Sequence, residues 1–204
     1  MAHNLYRHKI ESKEWLYHLI TDGGVIMNKK SIIPIIFLIV AFVAISGCTS
    51  NNGNTSSVKN YTGNGVSFNY PGNWTLDNQT SGNDTIMVTD MGSINGSRVT
   101  TSFEVQIIPQ NGLTEQSAIK QYNNTILPSG WEKISNNTLI IDNKTAYQRT
   151  YIVNDTNYNQ TMRYSDIFFI KNGNIYSITL QAPDNTFDSE KSIFDIIINS
   201  FKVQ

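Results

Sequence analysis

Ile167-Phe168-Phe169-Ile170-Lys171-Asn172-Gly173-Asn174-Ile175-Tyr176-Ser177-Ile178-Thr179 decides the reading of the fold. Asn-Gly between two apolar runs readily supplies two consecutive positive φ angles, so this stretch predicts a β-hairpin closed by a two-residue type I′ turn. The turn sets the register: Phe169 opposes Tyr176 and Ile167 opposes Ile178 on one face, with Phe168, Ile170 and Ile175 on the other. A strand that is apolar on both faces calls for cover on both.

Strand signals continue on either side of the hairpin. Residues 161–170 lead into it, preceded by 145–153 and by two shorter candidates at 131–134 and 139–141. Earlier, Val66, Phe68 and Tyr70 alternate with polar neighbours until Pro71-Gly72 turns the chain before Trp74. Residues 86–89 form a short candidate, and 99–108 alternate with Val99, Thr101, Phe103, Val105 and Ile107 on one face. Two helices are expected. One is capped by Thr114, carries Ala118, Ile119, Tyr122 and Ile126, and is closed by Pro128-Ser129-Gly130. The other runs from about Asp188 to Phe201, with Ile193, Phe194, Ile197 and Phe201 as its stripe. Strands that follow one another without intervening helices form antiparallel sheets, so the expected class is α+β: a central antiparallel β-sheet covered by helices on both faces.

The N-terminal quarter reads as an address. Met27-Asn28-Lys29-Lys30 is a short basic start, an apolar run follows over residues 32–45, and Ile45-Ser46-Gly47-Cys48 ends it. This is the order of a secretory signal, with small residues before the cut. The four closing residues resemble a lipobox, which makes Cys48 the lipidation site. Fourteen apolar residues interrupted by Pro34 fall short of the ~20 that span a bilayer, so an uncleaved N-terminal helix is the lesser alternative. The expected organisation is a mis-annotated leader over residues 1–26, a signal peptide over 27–47, a polar tether over 48–60 and one folded domain over 61–204.

The address constrains the chemistry. The three histidines are His3, His8 and His18, so the exported part has none, and its only cysteine is committed to lipid. Histidine-dependent nucleophilic catalysis and His- or Cys-ligated zinc are thereby disfavoured. No Gly-rich phosphate cradle follows a strand and no cofactor is expected. The whole chain carries a net charge of −1 and no arginine cluster, which argues against nucleic acid as a partner. Asn-x-Ser/Thr occurs at Asn54, Asn60, Asn73, Asn78, Asn83, Asn95, Asn123, Asn136, Asn143, Asn154 and Asn159, roughly twice as often as composition alone supplies. That excess marks N-glycosylation candidates and, with a lipobox, points to an archaeon.

Phe68-Asn69-Tyr70-Pro71-Gly72-Asn73-Trp74 resembles the opening of PsbP-like domains. The ending also resembles theirs: Ile175-Tyr176-Ser177-Ile178-Thr179, then Ala182-Pro183, then a helix closing on Ser200-Phe201-Lys202. The resemblance covers roughly residues 61–203. It implies an α/β/α sandwich and non-catalytic relatives, some of them extrinsic subunits of photosystem II and many of them lipid-anchored prokaryotic proteins. No histidine is present to carry over as a metal ligand.

Three candidate sites remain among the residues themselves. Asp184 and Asp188, with Asn185 between them, suggest calcium, but helix capping and the helix dipole account for them better. Glu104, Asp142 and Asp166 fall on expected strands, where a pair facing one another would suit glycoside hydrolysis. Tyr147, Tyr151 and Tyr164 lie on adjacent strands and suit either core packing or a ligand-stacking surface. The leading expectation is a non-enzymatic, lipid-anchored protein on the outer surface of the cell membrane, held there by lipid or an N-terminal helix and acting as an accessory or binding module for an envelope component such as an envelope protein. An extracellular hydrolase or carbohydrate-binding enzyme using acidic residues, and a structural glycosylated envelope protein, are the alternatives.

Overall fold

The computed structural model describes residues 57–77, 84–95, 98–156 and 158–204. Its elements in order are β1 (Val58–Gly63), β2 (Val66–Pro71), β3 (Trp74–Leu76), β4 (Thr85–Asp90), β5 (Ile94–Asn95), β6 (Arg98–Val99) and β7 (Ser102–Pro109). Then come α1 (Glu115–Asn124), β8 (Trp131–Ile141), β9 (Lys144–Asp155), β10 (Gln160–Lys171), β11 (Asn174–Pro183), α2 (Asp184–Ser200) and β12 (Lys202–Val203). Seven strands form one sheet in the order β3-β4-β7-β11-β10-β9-β8, and β1-β2-β12 form a second, smaller one. Every strand pair is antiparallel.

The β10–β11 hairpin has the expected register, with Phe169 opposite Tyr176 and Ile167 opposite Ile178. Asn172 and Gly173 both take positive φ, 50° and 74°, as a type I′ turn requires. Thr114 caps α1 as expected, its hydroxyl accepting from the Ser117 N–H at 3.2 Å. Ala118 and Tyr122 are buried on that helix, and the Tyr122 ring stacks on Phe168 at 5.3 Å. Phe194, Ile197 and Ile198 of α2 join a core cluster with Phe68, Trp74, Phe103, Ile167, Phe169, Tyr176 and Phe201.

Several boundaries depart from the sequence reading. β1 begins at Val58 and so takes the last three residues assigned to the tether. Residues 131–141 form one strand, not two: a bulge between Lys133 and Ser135 resets the register, and the polar Ser-Asn-Asn stretch pairs with β9 at the sheet edge. Ile126 lies past the end of α1 and is 91% exposed, so it does not extend the helical stripe. Asp142 is not on a strand but in the β8–β9 turn, where it and Asn143 have φ of 47° and 62°. α2 starts four residues early, at Asp184, because Pro183 supplies a φ of −54° at its entry. Among the described residues no helix is long and apolar enough to cross a membrane; residues 1–56, on which the expected leader, signal peptide and lipidation site Cys48 fall, lie outside them.

Candidate functional site

Alternation along the central strands sends even-numbered β10 side chains and odd-numbered β9 side chains to one face of the large sheet. The register sets Tyr151 opposite both Tyr164 and Lys133, and Val153 opposite Trp131. Trp131, Tyr151 and Tyr164 therefore meet as a three-ring stack, with centroids 4.8, 5.6 and 5.6 Å apart. Tyr151 and Tyr164 come together as the sequence suggested. Tyr147 does not join them; its place is taken by Trp131, whose position the bulged register of β8 decides.

Beside the stack lies a buried polar network. Asp166 is 4% exposed, and its carboxylate accepts from the Tyr151 hydroxyl at 2.7 Å and the Thr179 hydroxyl at 3.0 Å. Tyr122 of α1 donates to the Asp166 carbonyl at 2.8 Å, which ties the helix to β10. Arg149 is also buried; it lies 4.8 Å over the Tyr122 ring and donates to the Thr125 carbonyl at 3.1 Å. Burial raises the Asp166 carboxyl above its ordinary range against the opposing pull of Tyr151, Thr179 and Arg149. Burial, then the nearby carboxylate, raises the Tyr151 phenol as well. The Arg149 Nε and the Gln121 Oε1 are buried without a hydrogen-bond partner among the described residues.

Around this network the same face is half-open. Glu104, Gln106, Thr179, Gln181, Tyr164 and Trp131 are all partly exposed. Glu104 accepts from the Gln106 amide at 2.8 Å, and the Gln181 amide donates to the Tyr158 hydroxyl at 3.2 Å. The strip thus offers two aromatic plates, carboxamides and one carboxylate, backed by the buried, hydrogen-bonded Asp166 network. Glu104 and Asp166 do share the face, on either side of Thr179, which pairs with both. Two strand spacings separate their backbones by roughly 10 Å. Asp142 is elsewhere, bonded to Lys171, within 3.4 Å of Lys202 Nζ and accepting from the Val203 N–H at 2.8 Å. Its own burial opposes ionisation, but these partners prevail and hold its carboxyl low.

Asp184 and Asp188 form no acidic pair free for calcium. The Arg163 guanidinium bonds both, donating from Nε to Asp184 at 2.7 Å and from Nη1 to Asp188 at 2.8 Å. Nor does either cap α2, whose N-cap is Pro183.

Of the sequon asparagines, Asn54, Asn78 and Asn83 lie outside the described residues, and Asn60, Asn73, Asn95, Asn123, Asn136, Asn143, Asn154 and Asn159 are all exposed. Their amide nitrogens differ. Asn60 donates to Asn69 Oδ1 at 3.0 Å and Asn95 to the Tyr158 carbonyl at 2.9 Å. Asn123 and Asn136 both line a depression of about 410 Å³, with Tyr122, Thr138 and Tyr147 also in its wall.

An antiparallel sheet with two helices and a half-open polar face defines an α+β domain. The sequence matches the family described as PsbP-like protein over residues 32–203, and the chain belongs to that family. No curated protein matches it. A crystal structure from Bacteroides thetaiotaomicron is similar at TM-score 0.50 and 11% identity, covering 72% of this chain and 48% of that one; this chain spans about half its length. The solution structure of cyanobacterial PsbP (CyanoP) from Synechocystis sp. PCC 6803 gives 0.49 at 19% identity, covering 76% and 98%. The Saccharomyces cerevisiae Ran-binding protein Mog1p gives 0.46 at 10% identity, covering 72% and 96%.

Proposed function

We propose that this chain is a non-enzymatic, lipid-anchored, glycosylated protein of the outer face of an archaeal cell membrane, whose PsbP-like domain is an accessory or binding module for an envelope protein. The observation that carries the binding role is the half-open strip from Glu104 to Trp131 over the buried Asp166 network. Aromatic plates interleaved with amide groups suit a protein partner, because they add contact area at little conformational cost. The location rests on the sequence: the basic start, the apolar run and Cys48. The same reading gives the large sheet a helix on each face, supported by Tyr122 of α1 on Phe168 and by Phe194 of α2 against Trp74 of β3. Glycosylation is supported by the exposure of every described sequon asparagine.

The hydrolytic alternative has one observation in its favour, the shared face of Glu104 and Asp166. Against it, both Asp166 oxygens already accept hydrogen bonds and the residue is buried.

Crosslinked membranes test the binding role. The wild-type chain is expected to capture one envelope protein, and Trp131→Ala to lower that capture about tenfold, the equivalent of ~1.4 kcal/mol. Equal capture by both proteins overturns the assignment of the strip. Cys48→Ser is expected to release the protein from membranes or stall its processing; a Cys48→Ser protein that is still cut and still tightly retained overturns the lipid anchor.

A further inference from the structure

Among the described residues the large sheet ends in β3 on one side and β8 on the other. An edge strand presents unpaired N–H and C=O groups and is a template for another strand unless it is short, charged, bulged or covered. β3 has three residues and is protected by its shortness. β8 has eleven, and its defences are uneven. Glu132, Lys133 and the bulge before Ser135 guard the first part. Residues 135–141 contain no charge, no proline and no bulge, and they end in Leu139-Ile140-Ile141. Ile140 is 67% exposed, and Ile134 next to this segment 49%. An uncharged, β-branched open edge is an association hazard.

The one remaining device on that segment is Asn136-Asn137-Thr138. Asn136 is exposed, and its amide nitrogen donates no hydrogen bond among the described residues, unlike those of Asn60 and Asn95. The depression beside it gives a first sugar ring space next to Tyr147. We propose that Asn136 is N-glycosylated and that its glycan caps the open edge of β8, preventing strand addition by a second copy of the chain. This rests on the extracytoplasmic, glycosylated reading above. In the transfer step the Asn136 amide nitrogen forms a bond to the anomeric carbon of a lipid-phosphate-linked saccharide. The bond from that carbon to the phosphate oxygen breaks, the lipid phosphate leaves, and the amide gives up one proton.

The test uses full-length protein purified from its native host, with glycopeptide mass spectrometry for occupancy and analytical ultracentrifugation for assembly. Wild type and Thr138→Ser, which keeps the sequon, are expected to carry sugar on Asn136 and to sediment as monomers. Asn136→Gln and Thr138→Ala are expected to lose that sugar and shift to dimers or larger species. Adding Ile140→Lys to Asn136→Gln is expected to restore the monomer by placing a charge on the edge. An unmodified Asn136 with other sequons occupied overturns this inference and leaves the general reading standing. No sugar on any sequon overturns both. An occupied Asn136 whose removal leaves the protein monomeric overturns the capping role alone.

Discussion

Asp166 and Asp142 show how placement sets the behaviour of a single carboxyl group. Burial lifts the Asp166 value above that of the unfolded chain, so the folded protein holds a proton that the unfolded chain has released between the two values. Its contribution is complete below the unfolded carboxylate value near ~4 and is lost as pH rises through the folded one. The urea midpoint of the wild type is therefore expected to fall across that window relative to Asp166→Asn, which lacks the ionisation; parallel pH profiles for the two proteins contradict this. Asp142 has the opposite sign. Lys171, Val203 and Lys202 hold it low, so its contribution is present above the unfolded value and disappears as pH falls through the lower folded one.

At the scale of elements, two glycines separate a close approach from a turn. A Cβ on Gly72 would sit 1.9 Å from the Ser57 carbonyl oxygen, a backbone atom at the entry to β1. Gly72→Ala is expected to displace that entry and speed amide exchange across Val58–Gly63, while β9 and β10 keep their protection. Unchanged exchange in β1 would show that Ser57 moves aside freely. Gly173 meets nothing within 4 Å, so Gly173→Ala pays only for its positive φ, about 1 kcal/mol. Its turn was legible in the sequence because Asn-Gly encodes the backbone angles locally. β1 was not: Val-Lys-Asn-Tyr-Thr-Gly lacks an apolar alternation, and its strand state comes from pairing with β2. β8 reads as two pieces in the sequence because an edge strand tolerates polar residues on both faces and the bulge breaks the period.

At the scale of the whole molecule, Phe201 joins the two sheets. It is fully buried, 5.9 Å from Phe68 of the small sheet and 6.1 and 6.3 Å from Phe169 and Tyr176 of the large one. Phe201→Ala is expected to cost 3–5 kcal/mol, roughly the range for removing a buried aromatic ring. Because both sheets lose packing, their unfolding is expected to remain a single transition at lower urea; two separated transitions would show that the sheets are stable independently. The C-terminus adds to this coupling, with β12 paired to β2 and the Val203 N–H bonded to Asp142 in the β8–β9 turn.

The sequence by itself determined the class, the antiparallel hairpin register, the α1 cap and the apolar faces. Each of these is encoded by neighbours a few residues apart, through turn angles, side-chain period or a capping hydroxyl. Only the tertiary structure decided that Trp131 completes the ring stack, that Asp166 is buried between Tyr151 and Thr179, and that Arg163 bonds both Asp184 and Asp188. It also decided that Asn136, one of eleven similar sequons, lies on the exposed edge of a long strand. Those placements depend on register across strands distant in the chain, and one residue of slip in any of them would turn these side chains to the opposite face.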